Sequence, residues 1–273
     1  MLVSWVLVLS TVLVIVVAAL LVFQSRLIYF PVRYDADFAS HVPEGATVLR
    51  FHCAFGDQVA FYIHPRRGGP PSRVWLVWGG NGMVASRWIH HFVRPDVDAR
   101  DGFLLIDYPG YGACAGSPSP ATILAASEAA AEAIAAKLGW NDAERATRFA
   151  AFGHSLGAGS ALQFVARHPV SRVVLVSPFT DLTAMARRMV GSPLCYLLHH
   201  RFDNRARLRE VLARDGAPPI TIIHGGNDET IPVEMGRALA REFPSIRYDE
   251  VAGADHNGII DSARDRILAA MAP

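Results

Sequence analysis

The pentapeptide Gly153-His154-Ser155-Leu156-Gly157 restricts the fold of this chain more than any other stretch. It follows an apolar run, Phe149-Ala150-Ala151-Phe152, and leads into Ala158-Gly159-Ser160-Ala161-Leu162, which is small and helix-compatible. Strand, sharp turn and helix together form the context in which a Gly-x-Ser-x-Gly pattern lifts a serine hydroxyl above the edge of a sheet. Such a turn strains the serine backbone. The flanking glycines leave room where a Cβ would strike the neighbouring strand or helix. The other reading is a plain glycine-rich strand–helix junction, so the weight of the motif rests on partners elsewhere in the chain.

Strand-like and helix-like segments alternate from Val48 onward. Val48–Ala54 and Val59–Ile63 flank Gly56-Asp57, a hairpin signal. Apolar runs follow at Val74–Trp78, Phe103–Ile106, Phe149–Phe152, Val173–Val176 and Ile220–Ile223, and Ile246–Val251 is the last candidate strand. Continuous apolar runs suit strands buried on both faces of a parallel sheet. Between them lie helical segments at Val84–Phe92, Ala121–Leu138, Leu156–Arg167, Val233–Phe243 and Ile259–Met271. This alternation predicts a doubly wound α/β sheet with its chemistry at the carboxyl ends of the strands. Residues 180–217 interrupt the rhythm. Helices over Leu182–Val190 and Arg205–Arg214, with Pro193 between them, predict a crossover helix plus a small lid. Its seven arginines against four acids read as a solvated helix surface or, alternatively, as a contact for anionic lipid headgroups.

A serine becomes a useful nucleophile only beside a base, and the base needs an acceptor to fix its tautomer. Asp228 follows the Ile220–Ile223 run within His224-Gly225-Gly226-Asn227-Asp228, and His256 follows the last strand. Both belong at the carboxyl edge, and the order Ser155, Asp228, His256 fits a catalytic triad on this architecture. The alternatives are that Asp228 caps a helix beginning near Pro232 and that Asp255 makes only local hydrogen bonds. His154 is too close to Ser155 in sequence to serve readily as its base, and His224 reads as a packed strand-end residue. His90-His91 and His199-His200 read as surface or helix-face pairs. An acyl-transfer site also needs donors for a developing oxyanion. The Leu156 amide is one expected donor. The Asn81 amide, in the Gly79-Gly80-Asn81-Gly82 loop after Val74–Trp78, is the other.

Residues Leu2 to Phe23 carry no charge. Twenty-two residues of helix reach about 33 Å, enough to cross a hydrocarbon core. Trp5, Tyr29 and Phe30 suit the interfacial zones. No basic residue precedes the run and its end is bulky, which favours an uncleaved anchor over residues 1–24 against a signal peptide. A core helix fits poorly, because the segment has no polar face. Arg26 and Arg33 then place the remainder, residues 25–273, on the cytoplasmic side. Lys+Arg 26 against Asp+Glu 25 gives no basic surface of the kind nucleic-acid binding needs. Cys53, Cys114 and Cys195 are dispersed and odd in number, so neither a disulfide framework nor a metal site is expected.

With these residues in place, the chain resembles the α/β-hydrolase superfamily, and within it the small membrane-anchored, serine-aminopeptidase-like serine hydrolases. The resemblance spans Leu27 to Met271. It rests on Leu27-Ile28-Tyr29-Phe30-Pro31, Gly80-Asn81, Asp107-Tyr108-Pro109-Gly110-Tyr111-Gly112, Gly153–Gly157, His224-Gly225-x-x-Asp228-x-x-Ile231-Pro232 and His256-Asn257. Two positions depart from it. Gly79 stands where relatives commonly have histidine, and Cys114 where they often have serine. The resemblance implies a mostly parallel eight-stranded sheet flanked by helices, behind an N-terminal transmembrane helix. It also implies an esterase or thioesterase working without metal or cofactor on small-molecule or lipid acyl esters, or on acylated proteins. A peptidase or amidase on the same triad and a silent membrane-tethered binding protein are the rival readings.

Overall fold

The apolar runs pair into one eight-stranded sheet. In the computed structural model, which describes residues 2–272, the strands are β1 (Ala46–Cys53), β2 (Gly56–Ile63), β3 (Arg73–Trp78), β4 (Asp101–Ile106), β5 (Phe149–His154), β6 (Val173–Val176), β7 (Ile220–Gly225) and β8 (Arg247–Val251). Their order is β1-β2-β4-β3-β5-β6-β7-β8. The β1–β2 and β2–β4 pairs are antiparallel, and every other neighbouring pair is parallel. Strands β4, β5, β6 and β7 are buried along their whole length, as parallel strands covered on both faces should be.

The helices are α1 (Leu2–Ile28), α2 (Ile89–Phe92), α3 (Pro120–Leu138), α4 (Asp142–Arg148), α5 (Leu156–Val165), α6 (Leu182–Val190), α7 (Asn204–Leu212), α8 (Val233–Glu242), α9 (Ile259–Ser262) and α10 (Arg264–Met271). Alternate side chains of β3 divide between two cores. Val74, Leu76 and Trp78 pack with α3, α5, α7 and α8, while Trp75 and Val77 pack with α2, α9 and α10. Period-two alternation of this kind lets one strand serve both faces.

Three local expectations change. The hairpin turn lies at Ala54-Phe55, because Gly56 and Asp57 already pair with Cys53 and His52. Gly56 takes φ +110°, and a Cβ there would stand 2.6 Å from the Ala115 side chain, so the glycine serves the strand start and its close neighbour. The expected Ile259–Met271 helix is two helices broken at Ala263, and the first turn of the expected Val84–Phe92 helix is 3-10. Helix α4 escapes the apolar pattern entirely, since none of its residues is buried. Its signal is a capping box: Asn141 accepts from the Glu144 amide while Glu144 accepts from the Asn141 amide.

Helix α1 runs without interruption past residue 24 to Ile28; Met1 and Pro273 lie outside the described residues. Its segment Leu7–Ile28 is long and apolar enough to cross a membrane, with mean hydropathy 2.8 and only 6% of it buried against the rest of the molecule. Residues 180–217 form α6, a short turn over Leu194–Leu197, and α7. Asp181 and Asp203 cap the two helices by accepting from the Ala184 and Ala206 amides. Arg205, Arg207 and Arg209 of α7 pair with acids, and Arg214 just beyond it donates to the Val165 and Ala166 carbonyls, so these arginines fit the solvated-surface reading.

Candidate active site

Ser155 stands at the turn between β5 and α5 with φ 57° and ψ −120°, in the region L residues avoid. The strain is imposed by close packing on both sides. A Cβ on Gly153 would lie 2.3 Å from the Gly157 carbonyl oxygen, and one on Gly157 would lie 2.1 Å from the Trp78 carbonyl oxygen. The helix therefore meets the sheet at backbone distance. The Ser155 amide is taken by the Val176 carbonyl, which ties the turn to β6.

His256 and Asp228 converge on that hydroxyl from loops after β8 and β7. His256 Nε2 lies 2.9 Å from Ser155 Oγ, and His256 Nδ1 lies 2.7 Å from Asp228 Oδ2. With the carboxylate on Nδ1, that nitrogen donates and Nε2 is left to accept the serine proton. Asp228 Oδ1 accepts from the Thr230 and Ile231 amides. It does not cap α8, whose N-cap is Pro232 with no side-chain bond. Burial by itself would raise the Asp228 carboxyl, but the neighbouring His224 ring and the hydrogen bonds from His256 and the Ile231 amide outweigh it and hold the group well below the carboxylate range. Asp255 stays local, accepting from the Asn257 and Gly258 amides, and Glu229 is exposed.

The Asn81 loop is stacked against the nucleophile. A Cβ on Gly80 would sit 3.0 Å from His154 Nδ1 and 3.6 Å from Ser155 Cβ, so only glycine permits this approach. Leu156 begins α5, where the first amides have no partner inside the helix and the helix dipole is positive. Among the described residues the Asn81 amide has no backbone acceptor. Ser155, Leu156 and Asn81 share the lining of one cavity of about 210 Å³, walled by apolar side chains including Phe179, Met185 and Leu198.

Several supporting residues had no role from the sequence. The Asn81 side chain is the centre of one network. Its Oδ1 accepts from the Phe30 amide, the Gly82 amide and the Tyr111 hydroxyl, and its Nδ2 donates to the Ile28 carbonyl. Tyr108 donates to the Gly79 carbonyl, while Asp107 accepts from the Ala85 amide and Tyr34. The Asp107–Gly112 stretch thus braces the loop that faces Ser155. Cys114 is buried and accepts from the Val59 amide, a packing role. Gly79 faces Trp88, whose ring nitrogen would lie 3.1 Å from any Cβ added there.

Two histidines outside the constellation hold it from behind. His154 Nε2 lies 2.9 Å from the His256 carbonyl oxygen, so it is the protonated nitrogen and donates. Burial, helped by the neighbouring His256 ring, pushes His154 down to about 3, leaving it neutral. His224 Nε2 donates to the Ile231 carbonyl, fixing the loop whose amides hold Asp228. His91 is half-buried and its pKa is lowered to about 4, chiefly by burial. His200 bonds the Tyr29 hydroxyl. Only His90 and His199 are the exposed residues expected of those pairs.

Comparison with known proteins accords with this fold. A family model described as "Alpha/beta hydrolase family" matches residues 75–214. An uncharacterized protein of Mycobacterium tuberculosis is 33% identical over 241 residues, covering 86% of this chain and 80% of its own. The human alpha/beta hydrolase domain-containing protein 17B is 29% identical over 229 residues, covering 83% of this chain and 75% of its own. Among solved structures, an alpha-beta hydrolase from Vibrio vulnificus superposes with TM-score 0.67 at 15% identity, over 87% of this chain and 88% of that one.

Proposed function

This chain belongs to the alpha/beta hydrolase family, and on that premise we propose that it is a membrane-anchored serine hydrolase of carboxylic esters or thioesters. The observation that carries the reading is the unbroken relay from Ser155 Oγ through His256 to Asp228, at 2.9 Å and 2.7 Å. Ser155 attacks the acyl carbon as His256 Nε2 takes its proton. Asp228 stabilises the imidazolium that forms. The Leu156 and Asn81 amides receive the oxyanion at the positive end of α5. His256 then gives the proton to the leaving alcohol or thiol, and water, activated by the same imidazole, releases the acyl group.

Residues 1–24 act as a single-pass anchor, its helix running on to Ile28, and residues 25–273 as the catalytic domain, with 180–217 as crossover helix and lid. Arg26 and Arg33 favour the cytoplasmic side. The apolar lining at Ser155 supports lipid acyl esters or acylated proteins as substrates over peptides.

A fluorophosphonate probe tests the nucleophile. It should label the wild-type protein and leave Ser155→Ala unlabelled, with ester turnover lost in the same variant. Equal labelling of both proteins, or folded wild type that resists the probe, overturns the reading.

A further inference from the structure

The cavity at Ser155 does not end at the lid. A second apolar crevice of about 210 Å³ runs between α1 and the lid. Leu27, Ile28, Ala186, Met189 and Leu198 line both spaces, so the two adjoin and together reach from Ser155 to the surface of α1. One wall of the slot, Leu20 to Ile28, is the terminal part of the segment able to cross a membrane. The facing wall is α6 with the Leu194–Leu198 stretch. No charged side chain lines either part.

Two polar clamps hold this arrangement together. Gln24, in the middle of the apolar wall, accepts the His199 amide at 2.7 Å and so fastens the lid to α1. Asn81, beside the nucleophile, holds the end of α1 through the Ile28 carbonyl and the Phe30 amide. The membrane helix is thereby joined to both the lid and the loop that faces Ser155. Met189, Val190 and Leu27 remain exposed at the mouth, as they should where a slot opens into hydrocarbon.

We propose that the last turns of α1 form a wall of the acyl-chain site. The substrate is then a single-chain acyl ester or thioester resident in the bilayer, its tail lying along α1 from Ile28 toward Leu20 while its carbonyl meets Ser155. The tail need not leave an apolar surrounding to reach the nucleophile. Leu20 to Ile28 spans about 12 Å of helix. At about 1.25 Å per methylene, from bond lengths near 1.5 Å, this matches roughly ten carbons. This inference rests on the serine-hydrolase reading and names its substrate class.

The test is kcat/KM of the full-length protein in one mixed-micelle composition, across acyl esters of two to sixteen carbons. The wild-type value should rise with chain length, by less than the roughly fourfold per methylene of transfer from water because the tail starts in the micelle, and level off beyond roughly ten carbons. Ala186→Trp, which fills the shared segment, and Leu27→Asn, on the α1 wall, should each lower the ratio of long-chain to short-chain kcat/KM at least tenfold. Met189→Trp, at an exposed position, gives a second blocking variant that does not disturb the fold. Leu13→Ala, on α1 but outside the slot, should leave the ratio unchanged. A flat chain-length profile with turnover that still requires Ser155 overturns this inference alone, as does a ratio unmoved by all the slot variants. Turnover that persists in Ser155→Ala overturns the underlying reading and this one with it.

Discussion

At the residue scale, the site depends on groups held in one protonation state by their surroundings. Asp228 receives its donors in a buried loop, and its ionised form fixes the His256 tautomer. Replacing Asp228 with Asn supplies a donor where an acceptor is needed. Steady-state kinetics should show kcat falling by about 10⁴-fold with the circular dichroism spectrum unchanged; a fall below tenfold would remove Asp228 from the relay. His154 has a different consequence. The unfolded chain binds a proton there near pH 6.5, but the native state resists until about 3. The native state therefore holds fewer protons between those values, and this contribution to stability falls as pH falls. At pH 5 it amounts to about 2 kcal/mol less than at pH 8. Asp107 acts in the opposite direction. Burial raises its carboxyl to about 6, so its native form keeps a proton that the unfolded chain has already lost, and its contribution declines as pH rises from about 4 to 6. Denaturant titrations at pH 5 and pH 8 on wild type and His154→Gln separate the two groups. The variant should lose less stability on acidification, and an identical acid loss in both proteins would count against the buried neutral His154.

At the element scale, the β5–α5 junction shows why a short motif can dictate a fold. Gly153 and Gly157 allow backbone contact across the turn, and the strained Ser155 is held only because both sides are full. Gly157→Ala should displace α5 from β3 and cost more than about 3 kcal/mol, read as lost soluble expression or a lowered melting temperature. Asn141→Ala removes an exposed cap at the start of α4 and should cost only about 1 kcal/mol. The two effects should differ clearly in the same melting assay. These cases also mark what was legible in the sequence. Strands such as Val173–Val176 and Ile220–Ile223 announce themselves, because burial on both faces demands unbroken apolar residues. Helix α4 does not, because it buries nothing and follows no apolar period. The Ala54-Phe55 turn was misplaced because Gly56 reads as a turn residue, whereas in the fold it meets a spatial neighbour, Ala115, 59 residues away.

At the scale of the whole molecule, α1 exposes a long run of apolar side chains, Leu7, Leu13 and Val14 among them. A water-facing helix of that kind is unfavourable by the ordinary cost of exposed hydrocarbon. The full-length protein should therefore sediment with membranes and resist alkaline carbonate, and recovery in the soluble fraction would contradict the anchor. The sequence alone determined the α/β layering, the long apolar N-terminal helix and the order of Ser155, Asp228 and His256, since period, burial and turn chemistry are local properties. Only the tertiary structure decided that Asn81 grips the end of α1, that His154 stands behind the loop carrying His256, and that α1 packs against the 180–217 segment beside the Ser155 cavity. Those relations join residues 51 to 175 positions apart, and no local pattern encodes them; they exist because the fold brings distant segments together at one edge of the sheet.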